Sequence, residues 1–102
     1  MKFSIAPAVQ KLVDGERVLD IPGFLSECQV AEECGFSGAY SGEKHQGDTS
    51  YTTNAFIPCI MGLSRTQKMK FGTSVTVLPT QHPVRVAEDA SLIEAMFPNR
   101  FR

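Results

Sequence analysis

Residues 68–102 read KMKFGTSVTVLPTQHPVRVAEDASLIEAMFPNRFR, and their hydrophobic period changes twice. Over residues 68–78, Met69, Phe71, Val75 and Val77 fall on alternating positions, the pattern of a strand. From Pro83 onward, Val86, Ala90, Ile93 and Phe97 recur three or four apart and share one helix face. Pro98 and Asn99 stop that helix, and Arg100, Phe101 and Arg102 read as the first residues of a further strand. Strand, helix, strand in this order is a βαβ unit.

The same alternation runs upstream. Residues 54–66 are expected to be helical, with Phe56, Ile57, Ile60, Met61 and Leu63 on one side and Pro58 in the first turn. A polar, glycine-containing loop over 46–53 precedes it. Residues 38–42 form a short strand that runs into Glu43, Lys44 and His45. Before that, Asp20 caps a helix with Pro22 in its first turn and Gly35 just past its end. Its buried stripe is Phe24, Leu25, Cys28, Ala31 and Cys34. Residues 11–20 read as a polar connection turning at Asp14-Gly15, and residues 2–7 as the first strand. The order β-α-β-α-β-α-β implies parallel strands joined by right-handed helical crossovers, an α/β fold.

Two architectures share that order. An open doubly wound sheet would carry a glycine-rich phosphate loop after its first strand, but Ala6-Pro7-Ala8-Val9-Gln10 contains no glycine. A (β/α)8 TIM-type barrel needs roughly 250 residues, so the 102 residues here are expected to be part of one. They would supply the first three βα units and the start of strand four. Such a segment leaves a sheet face and two edges open, which predicts a homo-oligomer or completion by further chain.

Composition removes several classes. Ten basic and eleven acidic side chains give a net charge of −1. The Lys and Arg residues are scattered rather than patched, so no nucleic-acid partner is expected. The longest uncharged apolar run, 55–63, is far short of the ~20 residues that cross a bilayer. No secretory leader pattern opens the chain, and a cytoplasmic location is expected. Cys28, Cys34 and Cys59 lack zinc-site spacing and lie in apolar helical stretches, so they are expected to be reduced core side chains with no metal role.

Chemistry in parallel α/β folds gathers at the C-terminal ends of strands. His45 follows the second strand directly and could move a proton near neutral pH, although a surface histidine would look the same. Glu43 reads as a solvated charge, with orientation of a base or pairing with Lys44 as the alternatives. The stretch from Gly72 to Pro79 combines a glycine with Thr73, Ser74 and Thr76. It suggests a bulge or a ligand close to the backbone, or an ordinary β-rich strand. His82 reads as a loop residue before a helix start. Asp48, Ser50, Tyr51 and Thr53 form a polar loop able to line a pocket. Nucleophile-elbow, H-E-x-x-H and P-loop motifs are missing, which removes support for hydrolase and NTPase chemistry.

Taken together, AEECGFSGAYSGEKH (31–45), TNAFIPCIMGLSRTQ (53–67) and the 68–102 stretch resemble the luciferase-like flavin-dependent monooxygenases. That family usually reads A-E-x-x-G-F followed by an E-H-H-like end, and the similarity covers nearly the whole chain. The resemblance implies the N-terminal third of a (β/α)8 barrel that binds reduced FMN, or alternatively a deazaflavin coenzyme. It implies an oxidoreductase that uses reduced flavin and dioxygen on a small organic substrate, inactive as this segment alone. A dehydrogenase or reductase on the same scaffold is the second reading. A non-catalytic truncated product, or half of a two-chain assembly, is the third. By the resemblance His45 is the catalytic histidine beside the flavin, and Thr73, Ser74 and Val75 hold the ring through a non-proline cis peptide at Ser74-Val75. Lys44 stands where many members carry a first histidine.

Overall fold

The structure, a computed structural model, describes residues 1–46 and 52–102. Its elements are β1 (Ser4–Ile5), β2 (Gln10–Val13), β3 (Glu16–Leu19), α1 (Ile21–Glu33), β4 (Gly38–Ser41), α2 (Phe56–Arg65), β5 (Lys70–Thr73) and α3 (Pro83–Met96). Strands β1, β4 and β5 form one parallel sheet in that order. Ser4 pairs with Gly38, and Gly38 with Lys70. Phe101 makes a parallel bridge to Phe71 on the far side of β5, through Phe71 N–H to the Arg100 carbonyl and Arg102 N–H to the Phe71 carbonyl, both 2.8 Å. The fourth strand therefore starts where the sequence places it.

The helices begin and end on local signals. Asp20 accepts a hydrogen bond from Gly23 N–H at 3.2 Å, Pro22 lies in the first turn of α1, and Gly35 takes φ +86° just beyond its end. Pro83 opens α3, and Asn99, at φ +61°, turns the chain after it. All three helices feed one core with the sheet: Phe24 and Cys28 from α1, Cys59 and Leu63 from α2, Ile93 from α3, and Ala39, Met69 and Phe71 from the strands. Phe71 is 2% exposed, and its ring occupies the space where a side chain at Gly62 would begin. α2 and β5 pack that closely only because position 62 has no Cβ.

Five expectations need correction. Residues 10–19 are not a plain polar connection but an antiparallel hairpin, β2 against β3, closed by Asp14 (φ 50°) and Gly15 (φ 82°). Two positive φ values in a two-residue loop match the right-handed twist of a hairpin. The hairpin escaped the sequence reading because its strands bury almost nothing, with Leu12 65% and Leu19 56% exposed. In α2 the covered face is Phe56, Pro58, Cys59, Gly62 and Leu63, whereas Ile57 points outward. Cys34 is exposed rather than part of the α1 stripe. The third barrel strand ends at Thr73, well short of Leu78; a short 3-10 turn, Leu78–Thr80, follows. The first strand is likewise only Ser4–Ile5.

The other two cysteines are core side chains, as expected. Burial pushes the Cys28 thiol up to about 11 and the Cys59 thiol up to about 12. The Cys59 thiol also donates to the Gly72 carbonyl at 3.3 Å. Among the described residues no helix is long and apolar enough to cross a membrane.

Candidate functional site

Strands β4 and β5 finish level with one another, Ser41 opposite Thr73. Ser74 N–H then donates to the Ser41 carbonyl at 2.8 Å, so the residues after both strands leave the sheet at the same end. This is the end at which parallel α/β folds assemble their chemistry.

Glu43 occupies the centre of that end. Its side chain is 0% exposed. Oε1 lies 2.6 Å from Nε2 of His45, and the Gln81 amide donates to Oε1 at 3.2 Å and to Oε2 at 3.0 Å. The N–H of Val77 adds a fourth contact. Burial alone would push the Glu43 carboxyl up, but its hydrogen bonds with His45, Gln81 and Val77 outweigh it and hold the group below the usual carboxylate range. Reading Glu43 as a solvated charge is therefore wrong. Its anchor Gln81 lies 38 positions away and was not singled out from the sequence.

His45 extends outward from this anchor, its side chain 36% exposed. Lys44 N–H donates to the Thr52 carbonyl at 2.8 Å and ties the strand end to the start of the next segment. Between the ends of β1 and β4 lies an open hollow of about 310 Å³, lined by Ala6, Val9, Tyr40, Gly42 and Glu43 among others.

The Ser74-Val75 peptide is cis, as the resemblance implied. Thr73 is half-buried at the strand end, Ser74 is exposed, and Val75 is 63% exposed. A second hollow, about 320 Å³, lies beside Thr73, Val75, Thr76, Leu78 and Phe101. The Thr76 hydroxyl is buried, yet it has no hydrogen-bond partner among the described residues. His82 caps α3: its Nδ1 accepts Val84 N–H at 3.3 Å, in line with the reading of it as a helix-start residue. Thr53 borders an apolar hollow of about 190 Å³ near Val9 and Ile57. Asp48, Ser50 and Tyr51 lie outside the described residues. No group of His, Cys, Asp and Glu that could hold a metal ion occurs among the described residues.

The family description "luciferase-like monooxygenase" matches residues 3–102. The chain belongs to the luciferase-like monooxygenase family. Over 74 residues this family member is 38% identical to the alkanal monooxygenase alpha chain of Photorhabdus laumondii, a match covering 72% of this chain and 21% of the relative. The solved structure of apo-MsnO8 superposes with a TM-score of 0.79 at 20% identity, covering 98% of this chain and 30% of that one. The oxygenating constituent of 3,6-diketocamphane monooxygenase from Pseudomonas putida, solved in complex with FMN, gives a TM-score of 0.70 at 18% identity, covering 76% of this chain and 21% of that one. The luciferase-like chain thus spans between a fifth and a third of these relatives, and its sheet and crossovers are a segment of their barrel fold.

Proposed function

We propose that this chain supplies the first strand ends of a flavin-dependent monooxygenase site, with FMN against Thr73, Ser74 and Val75 and with His45 as the catalytic group at its edge. The observation that carries this reading is the Glu43 carboxylate. It joins His45, which follows β4, to Val77 and Gln81, which follow β5, so the proton-handling group and the ring-facing backbone form one unit.

The residues present fit a flavin. Exposed Val75 and Leu78 offer apolar surface to a flat ring system. The buried Thr76 hydroxyl, without a hydrogen-bond partner among the described residues, offers a polar contact beside them. Reduced FMN, when bound, supplies the electrons for activating dioxygen toward a small organic substrate. The chain's own part is narrower. The 73–76 backbone backs the ring, Glu43 fixes the imidazole, and His45 exchanges a proton with the reacting group. Catalysis is proposed for the protein in which the barrel is complete, not for these 102 residues alone, and further chain or a second copy would close the open sheet edges. Sedimentation at the monomer mass, without exposed apolar surface, contradicts that last point. A cytoplasmic location is proposed with the reading, in keeping with three free cysteines.

The decisive test, made in the barrel-complete protein, is oxidation of a small organic substrate by dioxygen with chemically reduced FMN, compared between His45 and His45→Ala. A general acid or base contributes roughly 10²–10⁴-fold, so a loss of that order with retained FMN affinity is expected. Unchanged turnover removes His45 from the mechanism. Preferential binding of a deazaflavin, with no oxygen uptake, transfers the site to hydride chemistry.

A further inference from the structure

We propose that Nδ1 is the proton-accepting nitrogen of His45, and that Glu43, itself held by Gln81, sets this by keeping the imidazole in its Nε2–H tautomer. The role of Nδ1 rests on the proton-transfer reading above, whereas the tautomer is a property of the chain itself.

Donors and acceptors around the Glu43 carboxylate fix the tautomer. Nε2 lies 2.6 Å from Glu43 Oε1, within the range of a charge-assisted hydrogen bond. Among the described residues, every other partner of that carboxylate is a donor: the Gln81 amide on both oxygens, and the Val77 N–H. A carboxylate that receives two donor groups through three contacts, in a covered position, is ionised and can only accept. The remaining partner, Nε2, must therefore carry the hydrogen. In a neutral imidazole the lone pair then resides on Nδ1, which has no protein partner among the described residues. When Nδ1 takes a proton from an X–H group, the bonding pair stays on X, and the resulting imidazolium faces the Glu43 carboxylate. Glu43 and Gln81 are thus positioning residues, acting through His45. The same logic recurs at His82, where Nδ1 accepts Val84 N–H, so that ring also carries its hydrogen on Nε2 for a different reason.

Histidine-selective ¹⁵N labelling tests the proposal directly, because the chain contains only two histidines. Long-range ¹H–¹⁵N correlation reports which nitrogen is protonated, and His82→Asn, which preserves a capping side chain, assigns the signals. His45 should show a protonated Nε2 and a pyridine-like Nδ1. In Glu43→Gln the new side-chain oxygen accepts from Gln81 and Val77, which turns its NH₂ toward Nε2 and inverts the tautomer to Nδ1–H. A wild-type Nδ1–H tautomer overturns the proposal, as does an identical tautomer in wild type and Glu43→Gln. Should Glu43→Gln fail to fold, Gln81→Ala decides. It leaves His45 untouched but frees the carboxylate, and it should shift His45 toward a mixture; an unchanged spectrum contradicts the positioning role. Absence of any response to added FMN would count against the flavin reading and leave the tautomer standing.

Discussion

Glu32 and Arg100 hold the same turn from its two polar sides. The Glu32 carboxylate accepts N–H groups from Gln67, Lys68 and Met69 at 2.6–3.0 Å. The Arg100 guanidinium donates to the carbonyls of Leu63, Thr66 and Met69 and to the Thr66 hydroxyl at 2.6–3.3 Å. The turn they clamp leads directly into β5. Its placement fixes where β5 begins and hence where Thr73 to Val77 emerge at the opposite end. One end of the sheet is thus held by two charged side chains that each bond the turn, and the other carries the candidate chemistry.

Glu32→Ala should lower stability by about 2 kcal/mol, since hydrogen bonds to a charged partner each contribute ~1.5–3 kcal/mol and the freed amides partly recover water. Urea unfolding of the variant at neutral pH measures this. A change below half that size would mean that Arg100 alone secures the turn.

Acid should destabilise the fold for the same reason. Glu32 is raised by burial but lowered more strongly by its three amides and by Arg100, and Glu43 is likewise held low. A carboxylate depressed on folding contributes stability at pH values above its unfolded value, near 4.5. That contribution is lost as pH falls below this value and through the folded one. Unfolding midpoints should therefore drop from pH 5 downward, and less steeply in Glu32→Gln.

Gly62→Ala should destabilise despite the better helix propensity of alanine. The added methyl would enter the Phe71 ring, which is 2% exposed and backed by the core. Overpacking of this kind costs about 1–3 kcal/mol. Thermal unfolding reads the effect, and a more stable variant would show that the α2–β5 contact can open.

Cysteine reactivity should divide sharply. Cys34 is exposed, whereas burial pushes Cys28 up to about 11 and Cys59 up to about 12. One alkylation per chain in native buffer and three after denaturation are expected by mass spectrometry. Rapid native labelling of Cys28 or Cys59 contradicts the packing described for α1 and α2.

The alternation of strands and helices was legible because it rests on local periodicity and on caps such as Asp20 and Pro83. The hairpin at 10–19 was not, because a ribbon exposed on both faces leaves no buried pattern, although its Asp14-Gly15 turn was visible. At the site, His45 could be placed from its position after a strand. The anchoring of Glu43 could not, since Gln81 and Val77 reach it only when β4 and β5 lie side by side. Glu32 and Arg100 were silent for the same reason, as each bonds a turn more than thirty positions away. The Ser74-Val75 cis peptide came from family resemblance alone; no local residue pattern announces it.

The central claim is that a flavin meets this chain at the ends of β4 and β5. Amide shifts of the ¹⁵N-labelled protein during titration with FMN test it most directly. The account predicts that His45, Ser74, Val75, Thr76 and Val77 move together, while Gln67, Lys68 and Met69 at the opposite end stay still. Shifts confined to the 67–69 turn, or absent from 74–77 at saturating FMN, would contradict it.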